Sequence, residues 1–137
     1  MINVIIGKKG TGKTKYLVDH VNLAAEEQNT LVFISRDNRL MCDLKPSVRY
    51  INTQEFNITN YDMFYGFVGG IIANNFDTAH VFVDSVWKIV ESGEEGFSDF
   101  ISKIEKIGQD HKINFTITIS EEKEKAPEYI KKYLVEL

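Results

Sequence analysis

Four short runs of this chain are dominated by apolar and β-branched residues: Ile2 to Ile6 (INVII), Thr30 to Ile34 (TLVFI), Val81 to Val83 (VFV) and Ile113 to Ile119 (INFTITI). A weaker fifth run lies at Val48 to Ile51 (VRYI). A strand with one wet face alternates apolar and polar residues, whereas runs of this kind are read as buried on both faces. Helical spacing fills the segments between them. Such an order predicts an α/β fold: a three-layer domain with a mainly parallel sheet of about five strands, covered by helices on both faces.

The helices are read from periodicity. Residues 13 to 27 place Leu17, Val18, Val21 and Ala25 on one face. Residues 61 to 76 carry a wide apolar stripe of Phe64, Phe67, Val68, Ile71 and Ile72, with Asn60 or Thr59 as N-cap. Phe97, Phe100, Ile101, Ile104 and Ile107 mark a third helix over 97 to 108, capped by Ser98, and a last helix is expected from near Pro127 with Tyr129, Ile130, Tyr133 and Leu134. The acidic and basic run Glu121 to Lys125 reads as a solvated turn before it. Trp87 and the set Tyr61, Phe64, Tyr65 and Phe67 read as core or interface packing.

At 137 residues the chain has the size of one domain, residues 1–137, with one core. Its formal net charge of −4 argues against a surface built for non-specific nucleic-acid binding, so no nucleic-acid partner is expected. The N-terminal apolar run has no basic segment before it, and the apolar stretch at 63 to 73 is shorter than the about 20 residues a bilayer crossing needs. No membrane insertion is expected. Cys42 is the only cysteine, expected as a small buried apolar residue, and it can form no internal disulfide. A cytoplasmic location fits these features.

The chemistry concentrates at residues 7 to 14, GKKGTGKT. The pattern G-x-x-x-x-G-K-[ST] is met by Gly7, Gly12, Lys13 and Thr14, and it leaves an apolar strand and opens a helix. Glycines let the backbone curl so that successive N–H groups point at phosphate oxygens, and the helix N-terminus adds a favourable dipole. The candidate phosphate-binding set is Gly7, Lys9, Gly10, Thr11, Gly12, Lys13, Thr14 and Lys15. Lys13 would reach the β- and γ-phosphates as a point charge, and Thr14 would place its hydroxyl on Mg²⁺.

With those residues the chain resembles the P-loop NTPases, whose Walker A pattern it matches at every defined position. The resemblance implies a P-loop NTPase-like fold, a bound ATP or GTP with Mg²⁺, and a second apolar strand ending in a metal-supporting aspartate. His80-Val81-Phe82-Val83-Asp84 fits that second element, which makes Asp84 a candidate metal ligand with Thr14 and a candidate catalytic residue with Lys13. Many ATPases of the superfamily follow this aspartate with a water-orienting glutamate, and here the position is Ser85. Glu55 is the candidate substitute by position, Glu121 and Glu122 follow the last strand, and Ser120 is a candidate γ-phosphate sensor.

Over nearly its whole length the chain also resembles small single-domain P-loop proteins often labelled as twitching-motility ATPases, through IIGKKGTGKT, DNR at 37 to 39 and MFYGF at 63 to 67. The pilus-retraction ATPases of that name carry an extra N-terminal domain, acidic boxes and a His box that are not found in this sequence, so the resemblance implies the nucleotide site and little more. ISRDNR at 34 to 39 is similar to the D-x-R segment of type II thymidine kinases, but that family has a glutamate after its aspartate and a cysteine-bound zinc lobe. Three readings stay open: a nucleotide-binding protein with at most slow hydrolysis, a small-molecule phosphotransferase, and a non-catalytic interaction module. Arg36 and Arg39 are candidates to complete a neighbour's site, which leaves a homo-oligomer or a protein partner open.

Overall fold

In the computed structural model, which describes residues 1–27 and 30–136, every apolar run becomes a strand. In chain order they are β1 (Ile2–Gly7), β2 (Thr30–Ser35), β3 (Arg49–Asn52), β4 (Thr78–Val83) and β5 (Asn114–Ser120). They form one sheet in the order β1-β5-β4-β2-β3, with every pairing parallel. Parallel neighbours need crossover connections; the one from β2 to β3 holds only the 3-10 turn Met41–Asp43, and the others run through helices. These are α1 (Lys13–Ala25), α2 (Tyr61–Asn74), the single turn α3 (Val86–Ile89) and α4 (Phe97–His111).

Strand alternation decides which layer each residue serves. Val4, Ile6, Val32, Ile34, Val81, Val83, Phe115 and Ile117 pack with Phe64 and Val68 of α2 and Phe100 and Ile104 of α4. Leu31, Phe33 and Phe82 point the other way, onto Leu17 and Val21 of α1. Phe33, Phe64, Phe82, Phe97 and Phe115 are fully buried, and at roughly 1.5–3 kcal/mol for each large apolar side chain these two layers hold the sheet rigid beneath the loops. The α/β class with a parallel sheet covered on both faces is thus the observed one.

The register places the C-terminal ends of the central strands side by side. Gly7 pairs with Ser120, and Val83 with Ile117. The loops leaving β1, β4 and β5 therefore share one edge of the sheet, where ligands of open α/β sheets bind.

Several local expectations are corrected. Asn60 does cap α2, accepting from the Met63 N–H at 2.8 Å. Ser98, in contrast, does not cap α4: the helix starts one residue earlier, after Gly96 at φ 89°, with no side-chain cap. The last segment forms a 3-10 stretch, Glu128–Tyr133, after Pro127 rather than an α-helix. Its continuation is drawn onto the sheet, where Leu134 bridges Val4 in parallel and the Val135 N–H donates to the Val4 carbonyl at 2.9 Å. That pairing covers the edge of β1, which would otherwise present free backbone groups. Cys42 is exposed, because the turn Met41–Asp43 is held by Leu40 and Leu44 on either side of it, both buried against the α1 layer. Among the described residues no helix is long and apolar enough to cross a membrane.

Candidate functional site

The loop between β1 and α1 turns on two glycines. Gly10 and Gly12 have φ of 87° and 88°, the left-handed region that costs other residues about 1 kcal/mol or more. Inside the turn the Lys8 carbonyl accepts three donors: the Thr11 N–H at 3.2 Å, the Thr11 hydroxyl at 2.7 Å and the Lys13 ammonium at 2.9 Å. Lys13 is thereby folded back onto its own loop. Its side chain is buried, and the loss of hydration lowers its pKa; Asp84 opposes that shift and Lys88 adds to it.

The first turn of α1 carries Lys13 and Lys15 and no acidic residue, and Gly12 supplies no side-chain cap. This is the reverse of what a helix dipole favours, since its N-terminus repels cations and attracts anions. Lys15 is partly relieved by Asp19 at 2.6 Å. An anion seated on the exposed N–H groups would relieve the rest.

Across the sheet edge, Asp84 follows β4 and is 2% exposed. Its Oδ1 accepts from the Thr14 hydroxyl at 3.2 Å and from the Thr118 hydroxyl at 3.1 Å. Thr118 in turn accepts from the Ser85 N–H at 2.7 Å. Ser85 itself sits at φ 54°, so the backbone reverses directly after Asp84 and sends α3 over the edge with Lys88 on it. One strand, β5, separates β1 from β4, and its Thr118 closes the gap.

A cavity of about 380 Å³ lies over the loop, lined by Lys9, Gly10, Gly12, Lys13, Thr14 and Lys15 together with Arg39, Ser85, Lys88 and Ser120. Five of these side chains are cationic. Among the described residues that line it none is a carboxylate, although the chain carries a net charge of −4. Asp84, Asp37 and Arg36 line a smaller adjoining space of about 150 Å³. Gly7 and Thr11 lie on the other flank of the loop, in a separate cavity of about 360 Å³ with Glu122 and Lys123.

The fold thus brings together Lys9, Gly10, Gly12, Lys13, Thr14, Lys15 and Asp84, with Ser120 and Arg39 on the same rim. It does not bring Glu55 there. Glu55 is exposed in the 3-10 turn Thr53–Phe56 after β3, the far edge strand, two places from β4. Glu122 pairs with Lys8 at 3.3 Å and Lys125 at 3.6 Å on the flank of the loop. Two residues of the site escape pattern reading: Lys88, on a helix too short to show a period, and Thr118, whose only signal is the Phe-Thr-Ile-Thr-Ile alternation of β5.

No protein-family model matches the chain, and no curated protein matches it. Among solved structures, the flagellar accessory protein FlaH from Methanocaldococcus jannaschii is similar, with a TM-score of 0.64 and 12% sequence identity over 96% of this chain. The chain spans 65% of that protein's length. At this identity the likeness shows a shared fold alone.

Proposed function

We propose that residues 1–137 act as one nucleotide-binding domain that holds a nucleoside triphosphate, ATP before GTP, as its Mg²⁺ complex and hydrolyses it slowly. The observation that carries this reading is the 3.2 Å hydrogen bond between Thr14 and Asp84, two groups 70 positions apart, beside a cavity lined by five cations. Hydroxyl and carboxylate oxygens are the hard donors that Mg²⁺ takes, and Thr118 orients the carboxylate from behind, so the residues present fit the metal. When bound, Mg²⁺ supplies charge neutralisation across the phosphates. The chain's own groups do the rest: loop N–H groups and Lys13 hold phosphate oxygens, and Lys13 leaves the Lys8 carbonyl to do so.

Slow turnover follows from Ser85 standing where a water-orienting glutamate is common, and from the lack of a carboxylate among the described residues lining the loop cavity. Phosphoryl transfer in such sites depends on positioning and charge stabilisation, so losing the water-orienting group slows turnover more than binding.

Thermal unfolding with Mg²⁺ and ATP or GTP tests the proposal. A ligand at 100 times its Kd adds about 2.7 kcal/mol of stability, which for a domain of this size raises Tm by about 8 °C. Lys13→Ala should remove most of that rise, and Asp84→Asn should make it indifferent to Mg²⁺. No shift in the wild type, or a full shift in Lys13→Ala, overturns the reading. Nucleotide consumption that begins only on adding a nucleoside would replace slow hydrolysis with phosphoryl transfer.

A further inference from the structure

The two spaces at the sheet edge, about 380 Å³ over the loop and about 150 Å³ beside Asp84, share three lining residues: Arg39, Ser85 and Lys88. Arg39 comes from the loop after β2, and Lys88 from α3. Two cations from separate elements therefore meet at one junction, between the phosphate loop on one side and Asp84 on the other. Both are exposed, and among the described residues neither has a carboxylate within ion-pair distance. Asp37, the nearest acid in sequence to Arg39, instead accepts from the Arg39 backbone N–H at 2.9 Å and forms a turn.

Cations left unpaired around one cleft repel one another, and Lys88 adds to the forces that lower the Lys13 pKa. Among the described residues lining the two spaces, only Asp84 and Asp37 offset this charge, and in the smaller space they face Arg36, Arg39 and Lys88. The smaller space is below the size range of sites that hold nucleoside-sized ligands, but it suits a phosphate group. A phosphate chain that starts on the loop N–H groups and passes the Thr14 and Asp84 pair ends at this junction.

We propose that Arg39 and Lys88 of this same chain grip the terminal phosphate, so that the site separates triphosphate from diphosphate without an arginine from a neighbouring copy. This rests on the nucleotide reading above and adds its specificity. Hydrogen bonds to a charged group are worth enough to change affinity about tenfold or more.

Calorimetry at fixed ionic strength, with Mg²⁺ and either ADP or a non-hydrolysable ATP analogue, tests it. Lys88→Gln and Arg39→Gln should each weaken the triphosphate about tenfold while ADP moves less than twofold, and Lys88→Arg should restore most of the loss. Lys106→Gln on α4, the same charge change at a distant exposed site, should leave both ligands unmoved. Equal weakening of both ligands, weakening of neither, or an equal effect of Lys106→Gln overturns the proposal while the nucleotide reading stands. If the wild type binds neither nucleotide, inorganic tripolyphosphate and pyrophosphate replace them. The same selective loss with tripolyphosphate supports the junction as a phosphate site, and no binding of either removes both proposals.

Discussion

The first glycine of the loop can be tested through its neighbour. A Cβ added at Gly7 would lie 2.7 Å from the Thr11 hydroxyl oxygen, 3.6 Å from the Thr11 Cβ and 3.7 Å from the Lys13 Cδ. Only the first contact is shorter than atoms allow. Gly7 does not have a positive φ, so alanine meets no backbone penalty there. To make room, Thr11 must rotate about χ1, and it then gives up its 2.7 Å hydrogen bond to the Lys8 carbonyl.

That bond is exposed, so its loss costs about 0.5–1 kcal/mol, and forcing a β-branched side chain from its rotamer adds a similar amount. Gly7→Ala alone should therefore cost about 1–2 kcal/mol. In a Thr11→Ala background the obstructing atom is gone and the remaining 3.6 Å contact is ordinary van der Waals packing. There the same substitution should be neutral, or stabilise by up to about 1 kcal/mol through the less flexible unfolded chain. Urea unfolding of the four proteins gives the coupling energy directly. A cost of Gly7→Ala that is the same with and without the Thr11 hydroxyl, within about 0.5 kcal/mol, refutes the reasoning.

Two further outcomes follow from the same edge and strand. Burial, with the charge on His20 as a second cause, lowers the His80 pKa to about 4, so the folded state resists protonation that the unfolded chain accepts near 6.5. Stability from this group is full above pH 6.5 and is lost as pH falls from 6.5 through 4, by about 3 kcal/mol at about 1.4 kcal/mol per pH unit. Unfolding curves of wild type and His80→Gln should diverge over that window, and parallel curves would contradict it. Ser85→Gly should stabilise by about 0.5–1 kcal/mol, because glycine holds φ 54° without the Cβ penalty; an unchanged or lower midpoint in urea would mean that serine bears no strain there.

How much of this was legible in the sequence depends on how local the signal is. The turn between β1 and α1 is, because Gly10 and Gly12 set its backbone and Lys13 bonds back onto the Lys8 carbonyl five positions away. The Thr14 and Asp84 pair is legible only through the resemblance that asks for a second strand; in the sheet β5 lies between β1 and β4, and the two side chains meet over its end, where Thr118 also bonds Asp84. Thr118 was hidden because its run reads as one buried strand, when the two faces of β5 differ: Phe115, Ile117 and Ile119 enter the α2 and α4 layer, while Thr116 and Thr118 bond His80 and Asp84. An alternation inside an apolar run is thus the mark of a strand that is buried on both sides but polar on one, and that polar side holds the carboxylate. Lys88 had no such mark. A four-residue helix has no period, and the serine at φ 54° that aims it carries none of the glycine signal such a turn would give. Glu55 shows the opposite failure: a correct place in the chain, just after a strand, but on β3, the edge strand farthest from β1. Sequence order names which strand ends carry polar groups, and only the strand order decides which of them meet.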